Sequence, residues 1–180
     1  MEKSFFISGI GGQGIQLLGK AYAYAANECD LNLCLYPYYA GQRRGGITFV
    51  RLTISDAHLG APEKEHYDYV VLMDQYSYDN YKELKKPNGV VILNSDLVVE
   101  PEDDKIEGAT VISHPFTAMA EDSGNPRNFN LILAGFLGAT AKLVPNDLYK
   151  EQLLKLTAKT EEQRAAYAAA FDSGAALAEK

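Results

Sequence analysis

Short apolar runs alternate with amphipathic segments along the chain. Runs rich in β-branched and aromatic residues predict strands, and they lie at 3–10, 32–38, 47–55, 67–73, 90–94 and 109–113. Helical spacing of apolar positions predicts helices at 13–29, 75–86, 116–122, 129–143, 146–155 and 161–178. A turn signal, Pro-Asn-Gly at 87–89, ends the second of these helices. This alternation predicts an α/β fold with a mainly parallel sheet.

The connection between the second and third predicted strands indicates a mixed sheet. Only the loop 39–46 separates them, whereas a parallel crossover needs about a dozen residues. We therefore expect an antiparallel pair within an otherwise mostly parallel sheet, with helices on both faces in three layers. No repeat and no Pro/Gly-rich linker divides the chain, so we expect a single domain spanning 1–180.

Composition excludes several classes of function. The formal net charge is −7, from 17 Lys and Arg against 24 Asp and Glu, which disfavours nucleic acid as a partner. No apolar run approaches the roughly 20 residues that span a bilayer, and the first residues do not resemble a signal peptide. We expect no membrane partner and a cytoplasmic location.

The metal-ligating residue types are few and scattered. Cys29 and Cys34 are the only cysteines, whereas an iron–sulfur cluster needs about four thiolates. His58, His66 and His114 show no ligand spacing. We expect two free thiols, no metal site and no cofactor held by this chain alone.

A glycine-rich turn follows the first predicted strand and opens a helix. The stretch GIGGQG at 9–14 fits G-x-G-x-x-G and is typical of a Rossmann-like phosphate turn, in which backbone amides and a helix N-terminus face an anion. Candidate ligand contacts are Gly11, Gly12, Gln13 and Gly14. The alternative is that these glycines only allow close packing of strand and helix.

A dinucleotide is disfavoured as the ligand of this turn. Such a site needs an acid at the end of the second strand for the ribose, and Tyr-Pro-Tyr-Tyr stands there at 36–39. Asp74 and Asn94 also end predicted strands, and we interpret both as helix-cap or turn residues.

A second candidate segment is the loop GQRRGG at 41–46. Paired guanidinium groups bind carboxylates and phosphates through forked hydrogen bonds. If the first two strands are parallel neighbours, this loop and the glycine turn share the sheet edge at which α/β proteins bind ligands. Candidate contacts are Arg43, Arg44, Gly45 and Gly46. The alternative is that the arginines pair with acids of this chain or of a partner.

Residues of the chain itself do not predict catalysis. No nucleophile elbow, cysteine–base pair or carboxylate pair is visible. Six of the twelve tyrosines form two clusters, which either make a contact surface or cover the core: Tyr36, Tyr38, Tyr39, Tyr76, Tyr78 and Tyr81.

Several motifs together resemble the gamma subunit, or gamma domain, of 2-oxoacid:ferredoxin oxidoreductases. They are GIGGQG at 9–14, GK at 19–20, RGG at 44–46 and ISD at 54–56. The similarity continues through 68–74, 115–117 and 124–130 into 170–174, so it covers almost the whole chain. One departure is that Gly41 and Gln42 stand where the family loop has Pro and Glu, which makes the loop more cationic.

The resemblance implies an accessory subunit of a complex that decarboxylates a 2-oxoacid oxidatively to an acyl-CoA. Thiamine diphosphate, Mg²⁺ and iron–sulfur clusters are then held by alpha and beta subunits, and in some complexes by a ferredoxin-like delta subunit, with ferredoxin as acceptor. The gamma part is expected to pack on these subunits and to contact coenzyme A. Two alternatives stay open from the residues: a stand-alone nucleotide-binding protein using the turn at 9–14, and a purely structural interaction module.

Overall fold

The computed structural model describes residues 1–40, 46–59 and 63–179. The strands are β1 (Glu2–Ile10), β2 (Asn32–Tyr39), β3 (Ile47–Ser55), β4 (Tyr67–Leu72), β5 (Lys85–Asn94) and β6 (Thr110–His114). The helices are α1 (Ile15–Glu28), α2 (Gln75–Tyr81), α3 (Phe116–Asp122), α4 (Phe129–Ala141), α5 (Asn146–Thr157) and α6 (Glu161–Ala175). Short 3₁₀ helices occupy Lys82–Leu84, Pro126–Asn128 and Ala176–Glu179. Within these residues the predicted strands and helices are confirmed in kind and in order along the chain.

One six-stranded sheet with the order β2-β3-β1-β4-β5-β6 organises the molecule. The pairs β1–β4, β4–β5 and β5–β6 are parallel, while β3 runs antiparallel to both β1 and β2. The predicted mixed α/β sheet is confirmed. The condition that the first two strands are neighbours is wrong, because β3 lies between them. Two antiparallel steps restore the direction, so β1 and β2 still point towards the same edge.

Alternation of side chains along the strands builds a separate core on each face of the sheet. On β1, Phe5 and Ile7 pack with α1, α3, α4, α5 and α6. Phe6, between them, packs on the opposite face, where the described covering elements are α2, the 3₁₀ helix after it and the segment 95–109. This period-2 pattern explains why β1 is apolar on both sides and nearly fully buried. Helices lie on both faces, but unequally.

The segment that leads into β5 departs from the sequence prediction. The helix predicted over 75–86 ends at Tyr81, and the predicted turn at 87–89 lies inside β5. The pairing of β4 with β5 jumps from Tyr67–Lys85 to Tyr69–Val90, so the extra residues bulge out of the strand. Asn88 takes up the bulge with a φ of 60°. The Pro-Asn-Gly preference for a turn thus produces a bulge instead of a chain reversal.

Candidate functional site

The glycine turn is a compact link between the carboxyl end of β1 and the start of α1. The Gln13 N–H donates to the Ile10 carbonyl at 3.2 Å, and the Gln13 side-chain oxygen accepts from the Ile10 N–H at 2.9 Å. Gln13 therefore fixes the turn through its own side chain. Gly12 and Gly14 have φ values of 107° and 77°, which L-residues rarely adopt.

The sequence left open whether the glycines of this turn contact a ligand or only allow close packing of strand and helix. The surroundings of Gly12 and Gly14 answer this differently for each residue. A Cβ added to Gly14 would lie 2.5 Å from Nδ2 of Asn130 on α4, so this glycine allows close packing. A Cβ added to Gly12 would meet no atom within 4 Å among the described residues. Gly12 therefore borders open space, where a ligand could approach its backbone. Packing and ligand access are properties of different residues of the same turn.

The glycine turn, residues 9–14, contacts the last residue of the loop 41–46, which we call the arginine loop. The Gly11 N–H donates to the Gly46 carbonyl at 2.9 Å. Gln16, in the first turn of α1, donates its side-chain amide to the Tyr38 and Phe49 carbonyls, both at 3.0 Å, and so holds α1 to β2 and β3. Arg43, Arg44 and Gly45 lie outside the described residues, but Gly46, which follows them, bonds to the glycine turn, and Tyr38, which precedes them, bonds to Gln16 of α1. The expected common edge is therefore observed at Gly46.

A cavity of about 380 Å³ opens beside the turn. This volume falls within the range of small-molecule sites, roughly 300–1,000 Å³. Its lining comes from the turn, the segment after β5, and the starts of α3 and α4: Gly12, Gln13, Leu97, Thr117, Pro126, Arg127, Phe129 and Asn130. A larger cavity of about 540 Å³ lies at the other end of α4, where Gly138 and Lys142 contribute to its wall. The smaller cavity is the candidate site because Gly12 and Gln13 of the glycine turn line it.

Polar groups line one side of this cavity. Thr117 Oγ1 accepts a hydrogen bond of 2.9 Å from the Asn94 side-chain amide at the end of β5. Asn94 is fully buried, and its other side-chain atom, Oδ1, has no partner among the described residues. Arg127, on the 3₁₀ turn before α4, is exposed. We did not assign Thr117, Arg127 or Asn130 to a ligand site from the sequence, because only the topology brings them to the glycine turn.

Asp74 follows β4, the strand next to β1, and its side chain is turned towards the start of α2. Its carboxylate accepts hydrogen bonds from the Ser77 N–H at 3.0 Å and the Ser77 hydroxyl at 2.7 Å. It therefore caps the start of α2, which confirms the interpretation of Asp74 as a cap residue. The other neighbour of β1 is β3, whose antiparallel direction takes its carboxyl end to the opposite edge of the sheet. No described residue at the ends of these two strands offers a carboxylate for a ribose.

The tyrosine clusters divide between core and surface. Tyr78 is buried, whereas Tyr36, Tyr38 and Tyr76 are 46%, 41% and 53% exposed on the sheet face that α2 only partly covers. Tyr38 stacks on Phe49 with ring centroids 4.5 Å apart. We call Tyr36, Tyr38 and Tyr76 the tyrosine face.

Arg51 is a further member of this surface that the sequence did not single out. Its guanidinium carbon lies 5.8 Å from the centre of the Tyr36 ring and 5.2 Å from that of Phe49. Such cation–π contacts are favourable and hold the aromatic rings in place. Arg51 also forms an ion pair with Glu63 at 2.6 Å.

Residues 1–40, 46–59 and 63–179 show neither a metal-binding cluster nor a membrane-spanning helix. No group of three or more His, Cys, Asp or Glu side chains in these ranges is placed to hold a metal ion. Cys29 and Cys34 are both free. Burial lowers the pKa of His114. None of the helices in these ranges has the length and apolar character needed to cross a bilayer.

The sequence matches one protein-family model and several relatives of that family. The model of the family described as pyruvate ferredoxin/flavodoxin oxidoreductase matches residues 4–177. The 2-oxoglutarate synthase subunit KorC of Methanocaldococcus jannaschii is 30% identical over 166 residues, which are 91% of this chain and 88% of that protein. The ketoisovalerate oxidoreductase subunit VorA of Methanothermobacter marburgensis is 28% identical over 133 residues, but these are only 27% of its length.

Solved structures show the same fold. The chain superposes on a 2-oxoglutarate:ferredoxin oxidoreductase from Magnetococcus marinus, solved with 2-oxoglutarate, coenzyme A and succinyl-CoA bound, with a TM-score of 0.89 and 25% identity. The superposition covers 99% of this chain and 31% of the Magnetococcus marinus chain. The gamma subunit of a keto/oxoacid ferredoxin oxidoreductase from Geobacter sulfurreducens shares the fold with a TM-score of 0.82 at 23% identity, over 99% of this chain and 97% of that one. The resemblance inferred from the motifs is confirmed: the chain belongs to the pyruvate ferredoxin/flavodoxin oxidoreductase family.

Proposed function

We propose that this chain is the gamma subunit of a 2-oxoacid:ferredoxin oxidoreductase and works only as part of the assembled enzyme. The observation that carries the proposal is how much of each relative the chain covers. It spans 88% of KorC but only 31% of the Magnetococcus marinus chain, in which the same fold is one part of a larger polypeptide. We propose that other subunits carry the remaining parts of that reaction. As proposed, the complex converts a 2-oxoacid and coenzyme A to an acyl-CoA and CO₂.

In this proposal the redox centres lie on the alpha and beta subunits, with a ferredoxin-like delta subunit in some assemblies. Thiamine diphosphate, Mg²⁺ and iron–sulfur clusters are held there, and ferredoxin accepts the electrons. Two cysteines are too few for a four-thiolate cluster in this chain, which supports that division of labour. We also propose that residues 1–180 form one domain. A cytoplasmic location is proposed because both thiols are free, as is usual in a reducing compartment.

The proposed contribution of this subunit to ligand binding is a contact with coenzyme A. Gly11 to Gly14 and the loop from Arg43 to Gly46 would face the phosphates. The Gly11–Gly46 hydrogen bond and the open space at Gly12 support this placement. The first turn of α1 carries no acidic side chain, so its partial positive charge is not neutralised locally. Coenzyme A is bound in the related Magnetococcus marinus enzyme.

Kinetics of the assembled enzyme test the coenzyme A contact. Replacing Arg43 and Arg44 together by alanine is expected to raise KM for coenzyme A by about tenfold or more, because a charge-assisted hydrogen bond contributes roughly 1.5–3 kcal/mol. Arg164→Ala is the control, since that arginine pairs with Glu151 away from the cavity. An unchanged KM in the double variant would leave the subunit without a ligand role at this loop.

Co-purification tests the assembly itself. A tagged form of this chain, expressed with the genes of thiamine-binding and ferredoxin-like subunits of its own organism, is expected to bring those subunits down in fixed ratio. The tyrosine face supports the related possibility of an interaction module, because tyrosine is enriched at protein interfaces. A pull-down that recovers the chain alone contradicts both.

Stand-alone nucleotide binding is the remaining alternative. Asp74, the acid nearest in topology to a ribose-binding position, is turned towards Ser77, which disfavours NAD. A thermal-shift screen of the isolated chain with NAD, NADP, FAD and ATP distinguishes the two cases. We expect no shift of several degrees, whereas a ligand that binds the native chain tightly would raise its Tm.

A further inference from the structure

We propose that Arg127 is a specificity-determining residue of the cavity beside the glycine turn, where it binds a second phosphate of the ligand. For coenzyme A that group is the 3′-phosphate of the ribose. This inference rests on the proposed function, because it takes coenzyme A as the ligand. It adds a residue from a different part of the chain and assigns it to one chemical group.

The first support is the position of Arg127 in the cavity. Gly12 and Gln13 form one part of the wall, whereas Pro126 and Arg127 come from the 3₁₀ turn before α4. A ligand whose pyrophosphate lies at the glycine turn therefore has the guanidinium of Arg127 within the same cavity.

The second support is the charge environment of Arg127. Three arginines lie within the described residues, and two of them are ion-paired, Arg51 with Glu63 and Arg164 with Glu151. Among the described residues Arg127 forms no ion pair, and the acid that lines a cavity with it, Glu162, belongs to a different cavity from the candidate site. In a chain with 24 acidic and 17 basic residues, a guanidinium without a carboxylate partner beside a cavity is available to an anionic ligand.

The third support is the fixed backbone that carries Arg127. The Asn125 side-chain oxygen accepts a hydrogen bond of 3.1 Å from the Arg127 N–H, and the Asn128 N–H donates to the Asn125 carbonyl at 2.8 Å. These bonds hold the short turn, so the Arg127 side chain starts from a defined point. A preorganised backbone reduces the entropy that binding would otherwise cost.

The apolar part of the lining suits the remainder of such a ligand. Phe129, which is buried, and Leu97, which is exposed, both line the cavity. An aromatic base can pack on side chains of this kind while its phosphates bind at the turn and at Arg127. The cavity therefore matches a ligand with two separate anionic groups joined to a ring system.

Kinetics of the assembled enzyme with coenzyme A and with 3′-dephospho-coenzyme A test this assignment. Arg127→Gln is expected to raise KM for coenzyme A about tenfold, the change that 1.4 kcal/mol produces, and to leave KM for the dephospho form unchanged. Arg127→Lys is expected to restore part of the preference, since a lysine keeps the charge but not the fork. Lys142→Gln is the matched control, because Lys142 lines the cavity at the other end of α4.

The outcomes separate this inference from the proposed function. If Arg127→Gln changes neither KM while the Arg43 and Arg44 double variant raises both, the assignment of Arg127 is wrong and the coenzyme A contact stands. If none of these variants changes either KM, both are wrong. A wild-type enzyme that does not distinguish coenzyme A from its dephospho form also overturns the assignment.

Discussion

The Gly11 N–H and the Gly46 carbonyl oxygen, 2.9 Å apart, join the turn after β1 to the end of the loop between β2 and β3. This bond continues the antiparallel pairing of β1 with β3, whose last pair is Ile10 with Ile47, so the two candidate ligand segments meet where the loop enters β3. Gly12 and Gly14, two residues apart in the same turn, differ in what surrounds them, and mutation can separate the two effects.

Gly14→Ala is expected to destabilise the chain through its contact with Asn130. The new Cβ would lie 2.5 Å from Asn130 Nδ2, and the backbone φ of 77° adds strain. Together these effects are expected to cost about 2–4 kcal/mol of unfolding free energy. Urea unfolding measures the loss, which should be at least about 1 kcal/mol smaller in an Asn130→Ala background.

Gly12→Ala is the matched control for this coupling. Its Cβ would meet no described atom within 4 Å, so its cost should come from backbone strain alone and be additive with Asn130→Ala. In the assembled enzyme this methyl group should raise KM for coenzyme A, because it would occupy the space in which a ligand approaches. Equal coupling of both glycines to Asn130 would contradict the division between packing and ligand access.

The sequence predicted the kinds of elements well because side-chain periodicity reflects burial, and burial acts locally. It predicted the antiparallel β2–β3 pair from the length of one loop. It could not place β3 between β1 and β2, because an apolar pattern shows which faces of a strand are buried and not which strand lies beside it. The Pro-Asn-Gly segment was misread for a related reason: tertiary pairing with β4 absorbed it as a bulge.

The candidate site also has one part that the sequence predicts and one part that it does not. The glycine turn was predictable because its motif lies within one short segment. Arg127, on the 3₁₀ turn before α4, and Asn130, in the first turn of α4, lie far along the chain, and the tertiary fold brings them to the glycine turn. No pattern within their own segment indicates a cavity.

Asp74→Ala is expected to lower stability without affecting ligand affinity. The carboxylate caps α2 through Ser77, and loss of such a cap costs about 1 kcal/mol. Asp74→Asn should recover most of that loss, because an amide oxygen still accepts from the Ser77 N–H. Thermal unfolding together with KM for coenzyme A checks this, and an increased KM in Asp74→Asn would assign Asp74 to the ligand site instead.

The tyrosine face is expected to contact a partner subunit. Replacing Tyr36 and Tyr76 together by serine should weaken assembly by roughly tenfold or more, since truncating a buried interface tyrosine often costs over 1 kcal/mol. Size-exclusion chromatography and titration of the purified subunits measure the effect. Tyr24→Ser is the control: Tyr24 is 44% exposed, and its ring lies on α1 near Lys20. Assembly that survives the double change and fails with Tyr24→Ser would move the interface to α1.

Asp68 is expected to make part of the stability depend on acid pH. Burial by itself raises the pKa of this carboxyl group, but hydrogen bonds from Lys86 at 2.8 Å and from the Ser4 N–H and hydroxyl at 2.9 and 2.8 Å outweigh burial, so the pKa falls below its ordinary value of 3.8. The folded chain therefore favours the ionised form. Its stabilising contribution is fully present above the ordinary value and is lost as the pH falls through the lowered one.

Asp68→Asn should accordingly flatten the acid limb of the stability profile. Urea unfolding between about pH 7 and pH 2.5 is expected to show a lower free energy at neutral pH than the wild type and a smaller further loss on acidification. Asp147→Asn provides the comparison, because its side chain is 94% exposed and its pairing with Lys150 is on the surface. If Asp68→Asn and the wild type lose stability equally between these limits, the bonds to Ser4 and Lys86 do not favour the ionised carboxylate.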